Sequence, residues 1–238
     1  MFLNSNQKRF SMVDALFSFM LLLLFVPVLL SCGGGDFIAT LGEETVFVLD
    51  AGHGGEDCGA IGSNGKYEKD LNFEITMELG RQLTDMGYAV VYTRTEDRLL
   101  YTEEQNIKGL RKIYDLKNRV KITNLYSNAV FISLHMNSFS DPKYSGLQVF
   151  YSENNEKSSA LATSIQNQVK EKIQPKNNRN IRSGKGLYLM DHLECVAILI
   201  ECGFISNPEE CQNLCEKEYQ KQLCFSILCG IMDVNTKS

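Results

Sequence analysis

Short apolar runs at residues 46–49, 88–92, 130–134, 147–151, 187–190 and 196–200 are mostly β-branched and bounded by turn residues, so they read as strands. Several carry no polar alternation, which predicts burial on both faces. Between them the apolar residues recur at helical spacing. Leu71, Ile75, Leu79, Leu83 and Met86 share one face, as do Leu161, Ile165, Val169 and Ile173. Leu116, Val120, Thr123 and Leu125 do so less cleanly, and Tyr219, Leu223, Ile227 and Ile231 mark a terminal helix. Strands alternating with helices predict one α/β domain over 45–238, with a roughly six-stranded, mostly parallel sheet and helices on both faces. The Pro-, Gly- and Asn-containing stretch 174–186 reads as a loop within it.

Ahead of the domain, Lys8 and Arg9 precede residues 15–30, apolar apart from Ser18, and the run stops at Ser31, Cys32 and three glycines. This is the layout of a secretory signal over 1–32, with 33–44 as a linker. Cleaved signal, uncleaved anchor and lipoprotein signal all fit it. Leu29-Leu30-Ser31-Cys32 resembles a lipobox with a bulky Leu30 where a small residue is usual, which makes Cys32 a candidate lipid-attachment site. We read the chain as exported and membrane-anchored through this segment. An exported chain normally builds disulfides. Here the domain is large enough not to need them and no CxxC pair occurs, so the seven remaining cysteines are expected to be free core thiols. The net charge of -5 and the lack of a long basic run in the domain make nucleic acid a poor partner.

In open α/β sheets ligands collect beyond the carboxyl ends of strands. His53, His135 and Glu201 fall at such ends, and Glu68 opens the helix after the first loop. Two histidines and a carboxylate are ligands of the kind a catalytic zinc uses. Taken singly, a strand-end histidine is more often a hydrogen-bonded core or surface residue. Glu201 ends the apolar run Ala197-Ile198-Leu199-Ile200, so its desolvation needs compensation, by chemistry or by an ion pair such as one with Arg94. The third histidine, His192, has no such context. Cys58 or Cys202 beside a histidine is a thiol-hydrolase alternative. No GxSxG elbow is present, and Gly52, Gly54 and Gly55 lack what a phosphate cradle requires.

At these residues the chain resembles a known family. Leu49-Asp50-Ala51-Gly52-His53-Gly54-Gly55, Glu68 with Lys69-Asp70-Leu71-Asn72, Thr93-Arg94-Thr95-Glu96-Asp97, Ile132-Ser133-Leu134-His135-Met136-Asn137 and Ile200-Glu201-Cys202-Gly203-Phe204-Ile205-Ser206-Asn207 are similar, in register over 46–233, to the zinc N-acetylmuramoyl-L-alanine amidases of bacterial cell walls. The resemblance implies one zinc per chain held by His53, Glu68 and His135, with Glu201 as the catalytic carboxylate. The implied reaction is hydrolysis of the amide between muramic acid and L-alanine in peptidoglycan. The segment from Lys108 to Arg119 looks like that of the germination-specific amidases of endospore formers. That narrower likeness implies a role in spore cortex maturation, where peptide trimming prepares the muramic lactam. Cys32 departs from it. General wall remodelling, and an inactive peptidoglycan-binding lipoprotein, are the competing readings. Arg182 and Lys185 in the 174–186 loop are candidates for meeting stem-peptide carboxylates, against a plain solvated loop. A partner protein is a possible activator.

Overall fold

The structure, a computed structural model, describes residues 45–236. The expected signal, linker and lipid-attachment Cys32 lie outside the described residues. In chain order the elements are β1 (Val46–Ala51), α1 (Glu68–Asp85), β2 (Ala89–Tyr92), α2 (Arg111–Thr123), β3 (Ala129–Asn137), β4 (Gln148–Tyr151), α3 (Lys157–Lys172), β5 (Arg182–Ser183), α4 (Tyr188–His192), β6 (Val196–Phe204), α5 (Pro208–Cys215) and α6 (Lys217–Thr236). The strands make one six-stranded sheet in the order β2-β1-β3-β6-β4-β5. The first four in that order run parallel, β4 is antiparallel to β6, and β5 is parallel to β4.

Side-chain alternation explains why the central strands are apolar throughout. Phe47, Leu49, Ile132, Leu134, Ile198 and Ile200 face one buried cluster, which the apolar stripes of α1, α3 and α6 complete. Val48, Phe131, Ala197 and Leu199 face a second cluster closed by Leu116 and Val120 of α2 and by Leu189 and Met190 of α4. Helices therefore cover both faces, as the sequence predicts.

Some elements differ from expectation. Leu187 to Met190 are not a strand: Leu189 and Met190 sit in the second cluster from the short helix α4, where Tyr188 stacks on His192 with ring centroids 3.9 Å apart. A four-residue apolar run without β-branching carries no periodicity that separates helix from strand. The sixth strand comes instead from Arg182 and Ser183, inside the expected loop, paired with Phe150 and Tyr151. Helix α5 was unexpected, although Asn207 caps it by accepting from the Glu210 amide at 3.0 Å and Pro208 opens it. Met86 caps α1 and is exposed, and Leu125 lies past the end of α2, also exposed.

Candidate metal centre

β1, β3 and β6 end at one edge of the sheet, and the chemistry gathers there. His53 follows β1 in a left-handed turn with φ 62°, a conformation unusual for a side chain this size. A buried arginine holds it. Arg119 of α2 gives Nη2 to the His53 carbonyl at 2.9 Å and Nη1 to the Ala51 carbonyl at 2.8 Å. Its remaining donors meet Asp50 at 2.5 Å and Asp115 at 2.9 and 3.1 Å. Asp50 in turn accepts from Thr93 and Ser133, each at 2.6 Å. Burial pushes the Asp50 carboxyl up, but Arg119 and these hydroxyls outweigh it and hold it below the usual range.

Upon this base sit three donor groups. His53, Glu68 and His135 each offer a ligand atom, and these atoms lie within 4.8 Å of one another. Glu68 Oε1 is 3.2 Å from His53 Nε2 and 3.0 Å from His135 Nδ1. The same oxygen accepts from the Met136 amide at 3.1 Å, while Oε2 accepts from the Ala60 amide at 2.8 Å. Burial raises the Glu68 pKa, but hydrogen bonds and charge from His135 and His53 outweigh it, so the carboxylate stays ionised. On His53, Nδ1 is committed to Asp57 Oδ2 at 2.9 Å, which leaves Nε2 for the centre. Burial lowers the His53 pKa, and the carboxylates of Glu68 and Asp57 raise it by more. Asn72, one turn along α1, ties Glu68 to the Gly52 carbonyl at 3.1 Å.

Two glycines leave room for these groups. A Cβ on Gly52 would stand 2.2 Å from Cε1 and Nε2 of His135. Gly59 has φ +67°, and a Cβ there would come within 2.5 Å of Glu68 Oε2 and 2.8 Å of His53 Cδ2. Two imidazoles and one carboxylate, with His53 and Glu68 supported from behind, are a donor set able to hold a zinc-like divalent cation.

Glu201 stands beside this centre. In the sheet it pairs with His135 on one side and Gln148 on the other, so all three side chains share a face. Glu201 Oε2 is buried and has no hydrogen-bond partner among the described residues. Burial raises its pKa; His135 pulls it down, Glu68 pushes it up and His53 pulls it down, with a net rise. The ion pair with Arg94 is not formed. Arg94 instead bonds the carbonyls of Ala51, Gly52 and Lys69 at 2.9 to 3.2 Å.

The thiol alternative finds no support. Cys202 is fully buried in the first apolar cluster and burial pushes its thiol well up, while Cys58 Sγ is hydrogen-bonded to the Gly59 carbonyl at 3.2 Å rather than to a histidine. None of the seven described cysteines is in a disulfide; Cys202, Cys211 and Cys224 are core thiols, whereas Cys58, Cys195, Cys215 and Cys229 are only partly buried, unlike the expected core placement. His192 bonds the Tyr188 carbonyl, away from the centre. Arg182 and Lys185 are exposed, Arg182 lying 6.0 Å over the Phe150 ring. Sequence reasoning missed Asp57, Asn72, Gln148 and Arg119. Only Asp57 left a signal, four residues beyond His53.

The N-acetylmuramoyl-L-alanine amidase family model matches residues 47–233. The germination-specific N-acetylmuramoyl-L-alanine amidase of Bacillus subtilis is 35% identical over 187 residues, covering 79% of this chain and 78% of that protein. Among solved structures, the CwlD amidase of Clostridioides difficile, in complex with the GerS lipoprotein, superposes with TM-score 0.77 at 35% identity, over 81% of this chain and 99% of that one. The AmiC2 amidase of Nostoc punctiforme gives TM-score 0.68 at 31% identity, over 81% and 97%.

Proposed function

Because the chain belongs to the N-acetylmuramoyl-L-alanine amidase family, we propose that it cleaves the amide between muramic acid and L-alanine with one zinc held by His53, Glu68 and His135 and with Glu201 moving the proton. The observation that carries the reading is the orphaned Glu201 Oε2 beside three converging donors. Zinc, when bound, supplies a Lewis acid that polarises the carbonyl and brings the pKa of water down to roughly 7. Every other step falls to this chain's side chains. Glu201 accepts the water's proton and returns it to the amine of the departing L-alanine, acting as base and then as acid. Its raised pKa suits the second half of that cycle. Glu68 is a poor candidate for the base, since both its oxygens already accept backbone amides. Asp57 keeps the His53 ring turned so that Nε2 faces inward.

The likeness to a germination-specific relative supports spore cortex as the substrate, with trimming that prepares the muramic lactam. The relative solved with a lipoprotein supports an activating partner protein. Export and membrane attachment through residues 1–32, with Cys32 as the lipid site of a lipoprotein form, complete the reading. No helix among the described residues is long and apolar enough to cross a membrane, so attachment rests on that segment.

The test is incubation with purified cortex and with vegetative wall, with and without chelator, followed by quantitation of new L-alanine amino termini. Activity lost in chelator, restored by zinc and greater on cortex is expected. Chelator-insensitive release would contradict the metal assignment, and equal rates on both walls would contradict the cortex role. Palmitate labelling abolished by Cys32→Ala is expected of the lipoprotein form, and its absence in the parent sinks that form.

A further inference from the structure

The row of side chains at the catalytic edge does not stop at Gln148. His135, Glu201 and Gln148 stand side by side on β3, β6 and β4, and Arg179 extends the row by one more place. Its Nη1 donates to Gln148 Oε1 at 3.1 Å, and its Nε donates to the Ser145 carbonyl at 2.8 Å. The guanidinium lies 4.4 Å over the ring of Phe204, which pairs with Asn137 beyond His135. Gln148 is itself nearly fully buried and is fixed from its other end by donating to the Asn180 carbonyl at 2.8 Å. Arg179 is thus clamped on three sides in one geometry.

Arg179 forms no ion pair among the described residues, although it shares an electrostatic interaction with Glu210. The nearest acidic neighbour, Glu210, has both oxygens committed, Oε1 to the Gly146 amide and Oε2 to the Phe204 amide, each at 2.8 Å. Among the described residues no carboxylate lies in ion-pair range of Arg179, and its Nη2 has no hydrogen-bond acceptor. A half-buried, immobilised guanidinium with a free nitrogen, one side chain removed from Glu201, is a preorganised carboxylate receptor.

We infer that Arg179 is the anchor for a carboxylate of the substrate's peptide, and that it selects peptides bearing a free acid over those amidated there. The inference rests on the amidase reading for the identity of the substrate. Neighbouring strands are about 4.8 Å apart, so Arg179 stands on the order of 8–10 Å from Glu201, a span of two to three extended residues. The carboxylate it meets therefore belongs to the second or third residue of the peptide. Arg182 and Lys185, which the sequence singles out, are exposed and lack this clamp.

Equilibrium binding separates this inference from the reaction. The zinc-loaded Glu201→Gln protein is titrated calorimetrically with N-acetylmuramyl-L-alanyl-D-glutamate and with its fully amidated counterpart. The free acid is expected to bind about tenfold tighter or more, as a charge-assisted pair requires. Adding Arg179→Gln is expected to abolish that preference, Arg179→Lys to retain part of it, and Arg182→Gln to leave it intact. Equal binding of both ligands by the Glu201→Gln protein, or no binding, overturns the inference without need of any Arg179 variant. So does a preference that survives Arg179→Gln, because the carboxylate then goes elsewhere. Hydrolysis by the parent is read in parallel: preference without hydrolysis upholds Arg179 and defeats the amidase reading, and hydrolysis without preference does the reverse.

Discussion

Gly52 and Glu201 show how single residues set the centre's properties, since one makes room for a ligand and the other carries an unsatisfied charge. A methyl group at position 52 would occupy the place of the His135 ring, 2.2 Å from Cε1 and Nε2, so the ring would have to move. Gly52→Ala is therefore expected to weaken zinc affinity about 10- to 100-fold while leaving the far-ultraviolet dichroism unchanged, read by competition with a chromophoric chelator. Unchanged affinity would mean that His135 is not a ligand. For Glu201 the sign follows from burial. Its folded pKa lies above the unfolded value of about 4.3, so the unfolded state loses its proton first and stability falls as pH rises through that interval. The metal-free Glu201→Gln protein is expected to melt higher than the metal-free parent at pH 8, with the gap closing towards pH 4. A gap that is constant with pH would remove the unsatisfied charge as its cause.

Elements are joined to the sheet by buried polar groups as much as by apolar stripes, and the two were unequally visible in the sequence. Arg119 fixes α2 against β1 through Asp50 and against its own helix through Asp115, with all three side chains almost wholly buried. Arg119→Met removes the cation that pairs two buried carboxylates and the donor to the His53 carbonyl, and is expected to cost about 3–5 kcal/mol in urea unfolding. A cost under 1 kcal/mol would show that water replaces the arginine. Glu74 joins α1 to α6 through Lys217 and Gln220, and to the preceding loop through Lys66. Burial raises its pKa, but these partners bring it down to about 2. Its contribution is complete above about pH 4.3 and is lost as pH falls towards 2; allowing for solvent at the carboxylate, Glu74→Gln is expected to remove about 1–2 kcal/mol at pH 7 and nothing near pH 2. Strands β1, β3 and β6 were legible because each is a continuous apolar run, and α1 because Leu71, Ile75, Leu79 and Leu83 recur every four residues. Arg182 and Ser183 gave no strand signal, since a two-residue edge strand has no pattern, and Leu187 to Met190 gave a false one. The candidate metal donors His53 and His135 were legible because they adjoin apolar runs. Arg179 was not, because its position depends on Gln148 and Phe204, which approach it only after the sheet forms.

Across the molecule, the sheet sets the start of β1 and the candidate metal centre at opposite ends. The chain enters β1 at Val46 and reaches His53 just past its other end, and the six residues between span about 20 Å. Thr45 therefore stands at the end of the sheet opposite the metal centre. If Glu201 moves the proton beside a metal held by His53, Glu68 and His135, the effect is read by comparing parent and Glu201→Gln proteins, each shown to carry one zinc, for release of L-alanine amino termini from purified peptidoglycan. Equal zinc content and a rate at least about 100-fold lower in the variant are expected. A zinc-loaded Glu201→Gln protein that releases peptide at a rate close to the parent's would contradict that role for Glu201.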